Sequence, residues 1–324
     1  MATTLNNLAG LLANTNRPAE AEPLYREALE ISRESLGPRH PVVADTLNNL
    51  AGLLADTNRP AEAEPLYREA LEIGRETLGP RHPDVAIRFN NLALLLADTN
   101  RPAEAEPLFR EALEIGRETL GPRHPYVATW LNNLAELLRA TNRPVEAEPF
   151  YREALEISRE ALDPRHPDVA IRLNNLALLL ANTNRAAEAE PLFREALEIG
   201  RETLGPRHPD VAIRLNNLAL LLRATNRTAE AEPLYREALA ISRETLGPRH
   251  PEVAIWLNNL AQLLENTNRA AEATELYLDS LAILRSALGD SHPTTRTIAA
   301  NTLDHLRLFA PGHPDLPALA AAFP

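Results

Sequence analysis

One unit of 42 residues recurs seven times, and that beat limits the chain to a narrow set of folds. His-Pro falls at His40, His82, His124, His166, His208, His250 and His292, each 42 residues after the last. Asn pairs keep the same interval, from Asn6-Asn7 through Asn48-Asn49 to Asn258-Asn259. Residues 84–125 and 168–209 differ at three of 42 positions: Phe89/Leu173, Asp98/Asn182 and Pro102/Ala186. A fixed period of this length marks a stacked array, in which each unit buries its apolar face against its neighbours. A length of 324 residues alone would suggest two domains. Local stacking removes that inference, because the core lengthens with each unit.

Within residues 83–124, Pro83-Asp84-Val85-Ala86 opens a helix, with Pro in the first turn and Asp complementing the helix dipole. Phe89, Leu92, Ala93 and Leu96 then form one apolar helical face. Thr99-Asn100-Arg101 ends it, Asn being second only to Gly as a left-handed C-terminal cap. Pro102 starts a second helix carrying Ala105, Leu108, Phe109, Ala112, Leu113 and Ile115, which Gly121-Pro122 stops. No segment alternates like a strand, so the fold class is all-α, built of antiparallel helix hairpins.

Two features are expected to disturb that regularity. Pro at 23, 65, 107, 149, 191 and 233 lies inside each second helix, which predicts a bend or an irregular first turn. Asp163 stands where other repeats have Gly at the helix stop, which predicts local strain in the fourth repeat.

The chemistry that composition permits is limited. Net charge is −12, which argues against nucleic acid or an acidic membrane surface as partner. All 33 basic residues are Arg, a side chain suited to bidentate contacts, although a GC-rich codon bias is the simpler source. The absence of Cys excludes disulfides and thiolate metal sites. With no leader pattern and no apolar run of the roughly 18 residues a span needs, a cytoplasmic location without membrane insertion is expected.

Seven equivalent His invite a metal hypothesis. Equivalent positions in stacked helices lie on the order of 10 Å apart, whereas ligands sharing one zinc each lie about 2 Å from it. A capping role before each helix-starting Pro is therefore expected, with no metal and no cofactor. No phosphate loop, nucleophile elbow or zinc-protease motif occurs, so no catalytic residue is assigned and the chain is not expected to be an enzyme. Glu-Arg spacings such as Glu64-Arg68 and Glu106-Arg110 read as solvated helix pairs.

The spacing Leu47-x-x-Leu50-Ala51-x-x-Leu54, followed by Ala63-x-x-x-Tyr67-x-x-Ala70, resembles the tetratricopeptide repeat signature. The 42-residue length and the Leu-Asn-Asn-Leu-Ala string are similar to kinesin light chain-type and bacterial nephrocystin-like repeats. The resemblance covers roughly residues 1–308, with Leu12, Leu54 and Leu96 replacing an aromatic and Asn16, Asn58 and Asn100 replacing the interhelix Gly. It implies a right-handed superhelical α-solenoid: seven repeats over 1–292, then a capping helix and tail over 293–324. The first helices would line its concave side.

Opposite the core face of each first helix, the second Asn of the pair never changes: Asn7, Asn49, Asn91, Asn133, Asn175, Asn217 and Asn259. Its neighbours do, reading Ile171 and Leu178, then Ile213 and Leu220, in the middle repeats, with further variation at Arg139 and Arg223. A ladder of amides both donates and accepts, which suits the backbone of an extended peptide. The resemblance implies that role for these Asn. The other reading is that the amides bond neighbouring repeats, favoured for the first Asn of each pair. If the second Asn reads a ligand, Asn175→Ala and Asn217→Ala would abolish capture and leave stability nearly intact.

The expected function is a non-catalytic scaffold binding a protein or peptide segment. The alternatives are a self-associating structural array, or a regulatory or sensor module of a larger multidomain bacterial protein. The start at Met1, already inside a helix and without His-Pro, suggests a cut through a longer array and end-to-end association. Residues 316–323 are expected to fold over the last repeat.

Overall fold

The computed structural model describes residues 1–323, and these form sixteen α-helices and no strand. They fall into two units, Met1–Pro164 and the chain from Arg165 onward. In the first, α1 (Ala2–Asn14) pairs with α2 (Pro18–Leu36), and α3 (Pro41–Asp56) with α4 (Pro60–Thr77). There α5 (Pro83–Asp98) pairs with α6 (Pro102–Thr119), and α7 (Pro125–Ala140) with α8 (Pro144–Ala161). In the second unit the pairs are α9 (Pro167–Asn182) with α10 (Ala186–Thr203) and α11 (Pro209–Ala224) with α12 (Thr228–Thr245). The last pair is α13 (Pro251–Glu265) with α14 (Ala270–Leu288), followed by α15 (Pro293–Phe309) and α16 (Leu316–Ala322). Each pair is a hairpin, and within a unit each second helix packs on the next first helix. The chain is an all-α solenoid of stacked hairpins.

Local chemistry explains the boundaries. At each His-Pro the imidazole Nδ1 accepts the backbone N–H two residues on, as His82 does from Asp84 at 3.2 Å and His124 from Tyr126 at 3.1 Å. The seven repeat His are therefore helix N-caps, satisfying a donor that the first turn leaves orphaned. At the other end of the first helix, Asn58 takes φ 60°. Its N–H donates to the Ala55 carbonyl at 3.0 Å, and the Arg59 N–H donates to Leu54 at 2.8 Å. That double closure is the left-handed cap of a Schellman motif, repeated at Asn16, Asn100, Asn142, Asn184, Asn226 and Asn268.

The expected irregular first turn and the strain at Asp163 both resolve differently. The second helices run unbroken through their internal Pro, and their first turns close normally, with Ala105 N–H donating to Arg101 O at 3.2 Å. Pro107 lies only six residues in, so the helix loses one N–H bond and continues. Asp163 avoids positive φ altogether. Gly121 and its equivalents turn at φ between 83° and 93°, whereas in the fourth repeat Leu162 leaves the helix extended, at φ −118° and ψ 168°. The expected strain is replaced by another path.

The core face is wider than the apolar pattern indicates. Val85, Ala86 and Leu95 are buried beside Phe89, Leu92, Ala93 and Leu96, and on α6 so are Ala105, Phe109, Ala112, Leu113 and Ile115. Leu108, expected among them, is half-buried. Fully buried Ala at 86, 93, 105 and 112 let the helices approach closely. Gly fills the same need between repeats: a Cβ on Gly116 would sit 2.1 Å from the Trp130 ring, and one on Gly74 would sit 2.8 Å from Arg88 Nη1. At the far end, Leu319 of α16 joins a buried cluster with Leu281, Leu284, Ile298 and Leu303, and Arg285 lies over the Phe323 ring at 5.5 Å.

The Glu and Arg side chains do more than pair along one helix. Glu64 takes Arg68 four residues on, as its spacing predicts, and also Arg101 of the next repeat at 2.7 Å. Arg101 in turn forks onto Glu104 through Nε and Nη2. The arrangement recurs at Glu22 with Arg59 and at Glu190 with Arg227, tying successive second helices together.

Hydrogen bonds from the next-repeat Arg, then from the Arg on the same helix, hold Glu22, Glu64 and Glu190 below the ordinary glutamate value. A depressed native pKa contributes stability that is complete above the unfolded value, about 4.3, and is lost as pH falls through the native one. The melting temperature should thus be nearly flat from pH 7 to about 5 and drop below about 4.3, as a calorimetric pH series would test. Gly116→Ala should destabilise by about 1–2 kcal/mol, because the clash with Trp130 outweighs the gain in helix propensity. The measurement is chemical denaturation of Gly116→Ala in the wild-type and Trp130→Leu backgrounds. Trp130→Leu costs stability by itself, but in that background Gly116→Ala should cost little further.

Candidate functional site on the first-helix face

Within each unit neighbouring first helices approach one another, α3 to α5 and α9 to α11 among them, while neighbouring second helices stay farther apart. The first helices therefore lie on the inner side of each unit, and their opposite-core positions form its inner surface.

The amides on that surface are joined across repeats. Nδ2 of Asn49 donates to Oδ1 of Asn6 at 3.2 Å, Asn91 to Asn48 at 3.1 Å, and Asn133 to Asn90 at 2.9 Å. In the second unit Asn217 donates to Asn174, Asn259 to Asn216, and Asn301 to Asn258, at 3.0–3.1 Å. The inter-repeat bond weighed for the first Asn thus engages the second Asn as well. One amide hydrogen of Asn49, Asn91, Asn133, Asn217 and Asn259 is committed, and the Asn91 carbonyl also accepts from the neighbouring Asn90 at 3.3 Å. The carbonyl and the other hydrogen of Asn49, Asn133, Asn217 and Asn259 remain for other partners. Asn90, Asn216 and Asn258 are buried, whereas the second Asn of each pair is half-buried at the surface from Asn49 to Asn259 and exposed at Asn7.

Apolar side chains lie alongside. Ile171 and Ile213 are 40% and 42% exposed, and Leu178 and Leu220 are half-buried. Arg139 donates twice to Glu136 on its own helix, at 2.7 and 3.1 Å, and Arg223 Nη1 donates to Gln262 of the next repeat at 2.5 Å. The two sequence-selected arginines are therefore held by the protein itself.

The structure gathers some of these residues around cavities. Ile171, Asn174, Asn175, Asp210, Ile213 and Arg214 line one of about 150 Å³ between α9 and α11. Asp45, Asn48, Asn49, Asp84, Ile87 and Arg88 line its counterpart, of about 220 Å³, between α3 and α5. Leu94, Asn133 and Glu136 border a third, of about 420 Å³.

Sequence reasoning missed the arginines at these sites. Arg88, Arg172 and Arg214 are only 3–5% exposed. Arg88 Nη2 donates to Asp45 of the preceding repeat at 2.5 Å, and burial pushes the Asp45 carboxyl up against the pull of Arg88. Arg172 Nη1 donates to the Asp168 carbonyl at 3.0 Å. For Arg214, Nε and Nη1 have no hydrogen-bond partner, and burial pushes the guanidinium down against the pull of Asp210. A signal was present: Arg88, Trp130 and Arg214 each follow a helical Gly fourteen residues earlier, at 74, 116 and 200. A glycine inside a helix costs about 1 kcal/mol relative to Ala and asks for a packing reason.

A family model described as Tetratricopeptide repeat matches residues 1–76, 43–118, 85–160, 126–199, 168–244 and 215–286. The chain belongs to the tetratricopeptide repeat family. BtubC (BKLC) from P. vanneervenii is 26% identical to this tetratricopeptide repeat chain with a TM-score of 0.61, over 73% of this chain and 93% of that one. A putative kinesin light chain with nearly identical TPR-like repeats from Podosopora anserina is 25% identical with a TM-score of 0.56, over 64% and 98%. The quorum sensor NprR from B. thuringiensis, in its apo form, shares the fold with a TM-score of 0.75 at 12% identity, over 99% and 85%. A search of curated proteins returns no match. Among the described residues no group of three or more His, Cys, Asp or Glu could hold a metal ion, and no helix is long and apolar enough to cross a membrane.

The clasps change what an Asn substitution should do to this tetratricopeptide array. Asn217→Ala should lower stability by about 0.5–1.5 kcal/mol, rather than leaving it intact. Asn174→Ala combined with Asn217→Ala should cost less than the sum of the two, a coupling that a double-mutant denaturation cycle would read.

Proposed function

We propose that the chain is a protein-interaction scaffold that holds an extended peptide or protein segment along the inner first-helix face. Tetratricopeptide arrays are in general interaction scaffolds rather than enzymes, and the family match supports that class of function. The observation that carries the finer reading is the row of exposed apolar side chains, Ile171, Ile213 and Ile255 at 39–42%, running beside the unchanging amides. Large aliphatic groups left in water gain about 25 cal/mol for each Å² that a partner covers. Within each unit the remaining amide groups, those of Asn49 and Asn133 in the first and of Asn217 and Asn259 in the second, would read the segment's backbone, with Asn91 in the first row and Asn175 in the second beside them. Leu178 and Leu220 would take its side chains, while Arg139 and Arg223, held by Glu136 and Gln262, would border the track. Residues 293–323 would serve as the end piece of the seven repeats.

A second reading is association between copies of the chain. Oligomers that grow with concentration in light scattering would support it, and a strict monomer would exclude it.

A displayed library of dodecapeptides should yield binders to the intact chain. Leu178→Gln combined with Leu220→Gln should weaken the selected binders about tenfold or more without a large change in melting temperature. Undiminished binding by that double variant would refute the groove.

A further inference from the structure

The buried arginines of the inner face are not alike, and the difference points to a ligand chemistry. Arg88 has a carboxylate from the preceding repeat: Asp45, 43 positions earlier, takes its Nη2 hydrogen at 2.5 Å. Arg172 has the Asp168 carbonyl at 3.0 Å, with the Asp168 carboxylate 3.7 Å away. The residue 43 positions before Arg214 is Ile171, which offers nothing to a guanidinium. Arg214 is 4% exposed, and its Nε and Nη1 have no hydrogen-bond partner, as is also true of Arg88. What sets it apart is that among the described residues it forms no ion pair, where Arg88 has Asp45 on Nη2. Arg214 lines the 150 Å³ cavity together with Ile171, Asn174, Asn175, Asp210 and Ile213.

A buried cation without a paired anion is costly, and a guanidinium is satisfied best by a carboxylate in a charge-assisted bond. The chain itself shows how that is met at this register. In the counterpart cavity between α3 and α5, a carboxylate reaches the equivalent arginine from the position that Ile171 occupies here. We infer that the cavity between α9 and α11 receives the carboxylate of an acidic side chain on the bound segment, which takes the place that Asp45 holds beside Arg88. This names the chemistry of one residue of the segment and rests on the groove reading above.

The local charges allow it. Asp210 lines the cavity, but the equivalent Asp84 lines the Asp45–Arg88 cavity, so one carboxylate already sits beside another where an arginine lies between them. Ile171 and Ile213, both partly exposed, give the methylenes of the incoming side chain an apolar wall. The half-buried Asn175 amide is close enough to align the segment's backbone at the same point.

The test uses the full chain and an array of N-acetylated, C-amidated dodecapeptides whose sixth residue is fixed as Asp, Glu, Asn, Gln or Ala, the others being randomised. Wild type should favour the Asp and Glu sets over their amide counterparts by about tenfold or more, the range for a hydrogen bond to a charged group. Arg214→Met should lose that preference. Ile171→Asp, which supplies the carboxylate from within the chain as Asp45 does, should also lose it while melting no lower than wild type; its retained fold guards against a trivial loss through misfolding. Binding without acidic preference would overturn this inference and leave the groove reading standing, and so would a preference that survives in Ile171→Asp. Binding of free-acid peptides only, or displacement by sodium acetate as readily as by an acidic peptide, would overturn it in favour of a chain-terminal or small-anion site. No binding by any set would overturn both readings.

Discussion

The contact between a second helix and the first helix of the next repeat is the constraint on which the rest depends. A single hairpin of this sequence cannot bury Leu92, Leu95 and Leu96 together with Phe109 and Ile115 on its own, since these side chains face more than one neighbour. Burial of each large side chain is worth about 1.5–3 kcal/mol, and most of that is realised only when hairpins stack. The caps follow from the same requirement. A His Nδ1 at one end of the first helix and a left-handed Asn at the other fix its length at about four turns, so each copy offers the same buried strip to the next.

Stacking also determines where variation is tolerated. The core positions and the clasped Asn pairs are held by neighbours on both sides, because a change in one repeat is felt by the repeat before it. The inner surface beside the amides is tied between repeats at particular residues, Asp45 to Arg88 and Gln262 to Arg223, and there Ile, Asp and Thr exchange at one position and Gly, Leu, Glu and Gln at another. The exclusive use of Arg suits the outer ties. Arg101 contacts Glu64 with one nitrogen and Glu104 with two others, a fork that a lysine ammonium reproduces poorly. These pairs are largely exposed, so each adds little by itself, and their value lies in repetition along the array.

The architecture was legible in the sequence because it is written many times. Period, helix number, left-handed Asn caps and His capping all follow from local chemistry that seven copies state alike. The candidate site was legible only in part. The inner face and its Ile and Leu positions emerge from the helical wheel, but the bond from Asn91 to Asn48 depends on the spacing between hairpins, which no single-repeat pattern contains. Arg88 and Arg214 were missed for a related reason. A wheel places them beside the core, where a charged residue reads as solvated, and only the neighbouring helix reveals that a glycine makes room for the guanidinium. Asp163 was misread because the backbone had a second exit from the helix.

The pairing of a glycine with a bulky residue has a bearing on how such an array changes over generations. Gly74, Gly116 and Gly200 lie on second helices, and the Arg88, Trp130 and Arg214 side chains they admit lie on the next first helices, fourteen residues downstream. Each matched pair is therefore carried on a short stretch that straddles a repeat boundary. A duplication or crossover cut outside that stretch copies socket and plug together and yields a junction that closes at once. A cut inside it sets a bulky residue against a foreign partner. The natural cassette of this protein is the junction between hairpins, and its repeats multiply most readily when broken in the middle.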